Sequence, residues 1–522
     1  MDIRQRGVFA EMKSFLVAVD IGTTSTKAAV IDAEGRIHAV LSEGYPLYTP
    51  APGRAEQQPD EIVDAVTKAV SSVIAKAGAS ANDIRCIVFS SAMHSLIALD
   101  REGAPLTPSI TWADNRSAPY VNLLREQYDA HAIYSATGTP IHPMSPLLKL
   151  MWLRDYEKAV FNHAYRFVGI KEYVIGQWFG GKHVVDHSIA SAMGLFDLQQ
   201  REWHTPALEA AGVDASRLPE LVSTTHLLEG MDRAWAEKLG VAPDTPVVVG
   251  ASDGVLANVG AGALAQDQFA VTIGTSGAVR AIVDAPRTDP QGRTFCYALT
   301  DDRWVVGGAI NNGGVLFRWV RDELATKEAE EALAAGKDPY DRLTELAASA
   351  PAGSGGLICM PLFAGERAPY WNADVRGVFF GLSLAHGKAH MVRSVLEGVG
   401  FAVRSVAEAV ADAAGAPREI RASGGFARSP FWRQILADVL GAPLTVPDAI
   451  ESSALGAAAL GLVALGDWRD FSGVRGWSQA SFTHEPNAAH RAVYDELFAL
   501  YSDLYPRLVD PFHRIVQLQT QN

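Results

Sequence analysis

Two short stretches, one in each half of the chain, read as copies of a single device. The first is Val17-Ala-Val-Asp-Ile-Gly-Thr-Thr-Ser-Thr-Lys27, running on into Ala-Ala-Val-Ile-Asp32. The second is Ala270-Val-Thr-Ile-Gly-Thr-Ser-Gly-Ala-Val-Arg280, running on into Ala-Ile-Val-Asp284. Each is an apolar β-rich run, a turn of Gly, Thr and Ser, a basic residue and a second apolar run ending in Asp, which is a hairpin pattern. Such a turn lets backbone N–H groups and hydroxyls approach a phosphate closely. One per half suggests a duplicated fold that grips a nucleotide's phosphates from both sides.

Length and composition allow this. A chain of 522 residues accommodates about two to four domains, each with a full core. The net charge of −14 argues against a nucleic-acid partner, whose electrostatic counterpart is basic. Three cysteines, Cys86, Cys296 and Cys359, form neither a disulfide framework nor a zinc cluster and fit a reducing, cytoplasmic compartment. The longest near-apolar run, Ala454 to Gly466, is well short of the roughly 20 residues a membrane span needs, so no membrane partner is expected. Residues 1–13 read as an extension before the first strand, with Met12 an alternative start.

Strands and helices alternate along the chain. Strands are expected over 15–22, 27–32 and 37–41, a helix over about 60–77 with Ile62, Val63, Val66 and Val70 at helical spacing, and strands over 84–90 and 95–99. The Trp- and Tyr-rich segment 105–210 reads as an irregular insertion that shapes a cleft. A strand at 245–250 enters a helix through Ala-Ser-Asp-Gly. The second half repeats the plan with a hairpin at 269–283, strands at 303–307, 355–360 and 418–423, and helices from Gly314, near 388–412 and at 452–465. The class is α/β. Two domains are expected, 14–258 and 259–522, hinged near 255–268, with the active-site cleft between them.

Short motifs divide the readings. No Gly-x4-Gly-Lys-Ser/Thr loop is present. Gly260-Ala-Gly262 follows a helix and precedes a strand, the reverse of a dinucleotide fingerprint. Gly250-Ala-Ser252-Asp253-Gly254 lies between strand and helix, the context of a serine hydrolase nucleophile elbow, with His386, His390, His484 and His490 downstream. That reading leaves the paired hairpins unexplained. A non-catalytic nucleotide switch is a third class, and it would need no substrate segments.

From about Phe15 onward the chain resembles the FGGY family of carbohydrate kinases. Met144-Ser-Pro-Leu-Leu-Lys149-Leu-Met-Trp152-Leu resembles one family pattern, with Tyr156 where an acidic or amide residue is usual. Gly377-Val-Phe-Phe-Gly381-Leu382, with His390, Met391 and Ser394-Val-Leu-Glu397, resembles the other. Lys149, Trp152 and Glu397 read as packing residues. The resemblance implies a two-domain, duplicated ribonuclease H-like (actin-like ATPase) fold, ATP and Mg2+ as cofactors, and a small-molecule sugar or sugar-acid substrate. A homodimer is left open.

Roles follow from the same resemblance. Asp20 would hold Mg2+ together with Asp253, since a bare carboxylate beside phosphates needs a cation between them; the alternative is a turn-initiating Asp. Gly22, Thr23, Thr24 and Lys27 would contact phosphates from one side, Lys27 alternatively being solvated. Gly274 and Thr275 form the second turn, Gly314 opens a helix toward the nucleotide, and Gly424 and Gly425 match the adenine-side glycine pair. Asp253 is expected to be the general base for a sugar hydroxyl, with a helix N-cap as the alternative. On the substrate side stand Met93, His94, Asp114, Arg116 and His142. His94 is a donor or a structural histidine, and Arg116 pairs with a substrate carboxylate or with a neighbouring acid. The segments Ser-Ala-Met-His-Ser, Trp-Ala-Asp-Asn-Arg and Gly-Thr-Pro-Ile-His-Pro-Met look most like the gluconate kinase branch, with transfer from ATP to D-gluconate. A xylulose kinase or another sugar kinase is the alternative. Arg54 stands where Trp is common.

Overall fold

A computed structural model describes residues 14–447, 451–477 and 480–520; the expected extension at 1–13, with Met12, lies outside them. Two mixed sheets form the body. The first holds Phe15–Ile21 (β1), Ser25–Asp32 (β2), Ile37–Gly44 (β3), Ile84–Ser91 (β4), Leu227–Leu228 (β5) and Val247–Ser252 (β6) in the order β5-β6-β4-β1-β2-β3. The second holds Gln268–Ile273 (β7), Gly277–Val283 (β8), Phe295–Thr300 (β9), Arg303–Ile310 (β10), Glu419–Ser423 (β11), Leu444–Pro447 (β12) and Ala480–His484 (β13) in the order β9-β10-β8-β7-β11-β12-β13.

Both sheets share one plan. In the first, β1-β2-β3 is an antiparallel meander, and β4 and then β6 add in parallel beyond β1. In the second, β7-β8-β10 is the meander, and β11 and β12 add in parallel beyond β7. The duplication expected from two hairpins is present in strand order. Each central strand is apolar on both faces because helices cover both, as for β1, buried at every position but Asp20.

Helix Pro59–Ala77 (α1) covers the outer face of the first sheet with Ile62, Val63, Val66, Val70 and Val73, starting on a proline and ending at Gly78 in the left-handed region. The first sheet leads to the second through Asp253–Gly260 (α2) and residues 261–267. After Gly314–Trp319 (α3), the 27-residue helix Lys388–Ala414 (α4) buries Val392, Val395, Val399, Val403 and Val406 against the second sheet. Helix Ser452–Ala464 (α5) is apolar all round and is buried on every side. It follows the second meander in sequence yet packs against β1 and β4 of the first sheet, and against α2.

Three expectations need correction. The segment 105–210 is largely helical, with its own core of Leu147, Leu148, Met151, Trp152, Phe167 and Leu195. Helix Pro146–Tyr156 buries residues on all faces, so it offers no amphipathic stripe to read. The strand expected at 355–360 is only Ile358–Met360, in a separate two-stranded sheet with Val378–Phe380. A strand not expected, β9, forms the edge of the second sheet.

The approach of α2 to α5 leaves no room for side chains. A methyl on Gly456 would lie 2.0 Å from the Leu256 carbonyl oxygen, and one on Gly260 would lie 1.8 Å from that of Ser452. Gly456→Ala should therefore destabilise the protein by about 1–3 kcal/mol through overpacking. The effect should appear as a lower urea midpoint with an unchanged slope. Gly476→Ala, a helical position with nothing within 4 Å, should leave the midpoint where it is.

Candidate functional site

The two hairpin turns face one cavity of about 290 Å³. Thr23 reaches it from the first sheet, and Gly274 and Ser276 from the second, together with Asp253, Met93 and His94. Backbone and side-chain bonds fix the first turn. Gly22 N–H donates to the Ser25 carbonyl at 3.0 Å, the Tyr45 hydroxyl donates to the Gly22 carbonyl at 2.6 Å, and the Trp112 indole donates to Thr23 Oγ1 at 2.9 Å. Thr24 is exposed at the tip of the turn.

The second turn is docked on α3. Gly314 N–H donates to the Gly274 carbonyl at 2.7 Å, and Val315 N–H donates to the Thr275 carbonyl at 3.1 Å. The Gly314 amide is thus engaged in holding the hairpin, while the residue itself, expected toward the nucleotide, lines the cavity beyond the turn. A methyl there would lie 2.6 Å from the Gly274 oxygen. Gly274 itself has nothing within 4 Å of a would-be Cβ, which leaves its face open.

Asp20 and Asp253 are the two carboxylates at the joint. Asp20, near the end of β1, accepts from the Ser90 hydroxyl directly opposite on β4 at 2.6 Å. In the second sheet Thr272 takes its place, bonded to Ser423 opposite it at 3.1 Å. Asp253 opens α2, and its Oδ1 accepts only from the following amide, Gly254 N–H, at 2.6 Å. Burial, and then the charge of Asp20, push the Asp253 pKa up to about 6. Burial likewise raises that of Asp20. Two oxygen-donor carboxylates that repel each other suit a hard cation shared with phosphate oxygens. Among the described residues no group of three or more ligating side chains is gathered. Lys27 is tied to Glu451 at 2.6 Å.

The substrate-side residues divide. Met93 and His94 line the cavity. His94 Nδ1 lies 2.7 Å from the Ala192 carbonyl, which can only accept, so Nδ1 carries the proton. Burial, with Lys149 nearby, pulls its pKa down to about 3. Its Nε2 is then a bare acceptor, suited to a hydroxyl and unable to donate to a carboxylate. His142 has the other tautomer. Its Nδ1 accepts from Met144 N–H at 3.2 Å, and burial, Arg367 and Lys149 hold its pKa near about 3, leaving Nε2–H as a donor. Its ring meets Trp371 edge-on at 5.7 Å, behind the cavity wall.

Arg116 is committed within the protein, which favours the neighbouring-acid alternative. It forks onto Asp114, with Nε at 2.8 Å, and also pairs with Glu56. The Asp114 side chain is fully buried and also accepts from Ala55 N–H at 2.7 Å. Both residues brace the loop that carries Trp112. Lys149, fully buried, donates to the carbonyls of His94 and Thr111 and pins the same two turns. Trp152 stacks on Tyr156 and lies beneath Arg54 and Arg116. Glu397 pairs with Arg393. The packing reading of Lys149, Trp152 and Glu397 agrees with these contacts.

Two cations escaped the residue-type reading. Arg280, on β8, and Arg367, in the loop before Ala368, both line the cavity, with Trp112, Tyr297 and Trp371. Arg280 was visible as the basic residue of the second hairpin, yet it is not the counterpart of Lys27. Lys27 lies opposite Asp20, and Ala278 opposite Thr272, so Arg280 sits two residues further along, on the same face. Arg367 stands in no periodic element, and only the folded loop brings it in.

A second cavity, of about 300 Å³, lies on the other side of the Gly274 turn. Thr275, Gly314 and Gly425 line it, with Phe317, Tyr340 and Trp432 as aromatic walls. The glycine pair has two distinct tasks. Gly424 has φ +100 and would put a Cβ 2.4 Å from the Ile273 oxygen, whereas Gly425 has open space at that position. Gly274 lines both cavities, so they meet at the second turn.

The hydrolase reading fails on geometry. Ser252 is fully buried at the end of β6, and its hydroxyl meets only that of Ser188, at 3.1 Å. The downstream histidines are engaged elsewhere: His386 with Ser383, His484 with Gln434 and His490 with Asp438, and His390 with Gly387 N–H.

Comparison with known proteins agrees. The N-terminal domain of the FGGY family of carbohydrate kinases matches residues 15–260, and the family's C-terminal domain matches residues 269–465. Gluconokinase of Bacillus subtilis (strain 168) is 45% identical over 97% of this chain and 99% of its own length. The crystal structure of gluconate kinase from Lactobacillus acidophilus superposes with a TM-score of 0.90, at 36% identity over 96% of this chain and 99% of that one. That of a ligand-bound xylulose kinase from the same organism gives 0.90 and 36% over 96% and 100%. The two domain matches, read with the doubled sheet plan and the two cavities meeting at Gly274, show that this chain belongs to the FGGY family of carbohydrate kinases.

Proposed function

We propose that the protein transfers the γ-phosphoryl group of ATP to the 6-hydroxyl of D-gluconate, giving 6-phosphogluconate, ADP and a proton. The carrying observation is the pair of cavities that meet at Gly274 with the Asp253 carboxylate in one of them. The nucleotide's base and ribose fit between Phe317, Tyr340 and Trp432, with its phosphates running along Thr275 and Gly274. Thr23 and Ser276 offer hydroxyls to the transferred group. The sugar acid occupies the cavity beside Asp253, with His94 Nε2 accepting from one of its hydroxyls. The similarity to gluconokinase of Bacillus subtilis favours gluconate over xylulose.

In the reaction, the O6–phosphorus bond forms as the bond from phosphorus to the β–γ bridging oxygen breaks, and Asp253 takes the O6 proton. A carboxylate whose pKa burial and Asp20 have raised to about 6 is well matched to that transfer near neutrality. Asp20 and Asp253 would hold Mg2+, which neutralises phosphate charge when bound. A cytoplasmic setting goes with this reading, and the three cysteines are buried and unpaired as a reducing compartment allows.

Asp253→Asn keeps shape and removes the base, so kcat should fall by about 10² or more. Ser252→Ala should retain activity. Loss of activity in Ser252→Ala with retention in Asp253→Asn would reverse the assignment of the base. Steady-state assays across sugars should show D-gluconate preferred over D-xylulose by at least about tenfold in kcat/KM; equal turnover would indicate a xylulose kinase.

Gly425 faces the nucleotide cavity with room for a side chain. Gly425→Val should therefore raise KM for ATP by about tenfold or more, the worth of displacing one good contact, while leaving the melting temperature unchanged. A variant with normal KM for ATP would remove the nucleotide from that cavity.

A further inference from the structure

Among the described residues the Arg280 guanidinium makes no hydrogen bond or ion pair, and its Nη1 is shut off from solvent. It lies over the backbone of Gly254, where a methyl would come within 3.0 Å of its Nε and Nη2. Burial lowers its pKa, and the charge of Arg367 adds to that while Asp253 opposes it. An unpaired buried charge is strongly unfavourable unless something completes it.

The surroundings define what would complete it. Arg367 gives Nε to Asn311 Oδ1 at 2.8 Å and Nη2 to the Ile310 carbonyl at 3.2 Å, with its plane over the Trp112 ring at 5.0 Å. Among the described residues its Nη1 has no acceptor. Tyr297 lines the same cavity, its buried hydroxyl has no hydrogen-bond partner among the described residues, and its ring is held by stacking on Phe295 at 4.3 Å. Three donor-bearing residues thus line a cavity in which, among the described residues, Asp253 is the one lining carboxylate.

Position along β8 sets the depth. Arg280 lies three strand residues past Gly277, roughly 10 Å from the turn at about 3.3 Å per residue. That separation is comparable to the extended length of a six-carbon acid phosphorylated at its far end.

We propose that Arg280, with Arg367 and the Tyr297 hydroxyl, binds the carboxylate of the sugar acid, at the end of the cavity away from the transferred phosphoryl group. The assignment rests on the functional reading above. It replaces Arg116 and His94, whose polar atoms are engaged or of the wrong type, as the acid-reading residues.

D-Glucitol, which carries a neutral CH2OH in place of the carboxylate, provides the control. Titration calorimetry should show the wild type binding D-gluconate more tightly than D-glucitol. Arg280→Gln should weaken gluconate binding roughly 10- to 150-fold, the worth of one or two charge-assisted hydrogen bonds. It should leave glucitol binding within about threefold, a margin typical of a site that keeps its other contacts. Arg280→Lys should bind gluconate with intermediate affinity.

Because Arg280 is unpaired without ligand, the melting temperature of ligand-free Arg280→Gln should equal or exceed that of the wild type, which a merely structural arginine would not allow. Unchanged gluconate affinity in Arg280→Gln, or a fall in kcat with affinity preserved, would overturn the carboxylate site. Should Arg280→Gln fail to fold, a gluconate affinity in Arg280→Lys equal to that of the wild type would overturn it as well. A wild type that does not phosphorylate gluconate would instead overturn the functional reading, so the two failures are separable.

Discussion

The cleft depends on a contact between two backbones. Where α5 crosses α2, Gly456 lies against the Leu256 carbonyl and Gly260 against that of Ser452, at separations only hydrogen atoms permit. α5 follows the second meander, yet it buries its other faces on β1 and β4, with Gly461 against Val88 and Leu16. One helix therefore fixes the first sheet, the start of α2 and the second half of the chain relative to one another. Asp253, at the head of α2, inherits its position from that packing. Its distance from either turn would change with any side chain placed between the helices.

Electrostatics in the cleft follow from the same enclosure. Burial raises the pKa of Asp20 and Asp253, with the charge of Asp20 adding to the rise at Asp253, and lowers that of Arg280 and Arg367. Charged groups left this way are costly in a ligand-free protein. They become favourable when a cation lies between the carboxylates and an anion meets the guanidiniums. The neutral histidines sharpen the distinction. With pKa values of about 3, His94 and His142 are neutral hydrogen-bonding groups of opposite polarity at Nε2, and of the two only His94 lines the cavity.

Much of the fold was legible because it rests on short-range patterns. The two hairpins, the helix at 59–77 and the long helix at 388–414 all carry periodic apolar positions, and the structure has them close to the expected bounds. Helix Pro146–Tyr156 was not legible, since burial on all faces erases the stripe. In the site, Asp20, Asp253, Met93 and His94 could be placed because each ends or follows a strand in a recognisable segment. Arg116 could not be resolved from sequence, because whether a guanidinium meets a substrate or Glu56 depends on a β-bridge 60 residues away. Arg367 lies in an irregular loop whose path is set by Asn311, Asn312 and Glu366, a tertiary network with no local signature. Gly314 was placed correctly at the head of its helix. Its amide nonetheless serves the turn, because the hairpin carbonyls reach it first.

The two copies of the hairpin also show how a duplicated fold divides its labour. At the strand position held by Asp20 the second copy has Thr272, and where the first has Lys27 the second has Ala278. The second copy thus has neutral residues at both positions beside its turn. Its own charge appears two residues deeper, at Arg280, where the first copy carries the buried Ala29. An alternation of two keeps Ala278 and Arg280 on one face of β8, so a small residue near the turn gives access to a cation behind it. The same scaffold thus sets the Asp20 carboxylate beside one turn from one half and the Arg280 guanidinium deeper in the cavity from the other. The guanidinium end can meet an anion directly, whereas the carboxylate end repels phosphate and would need a cation held by Asp20 and Asp253 between them.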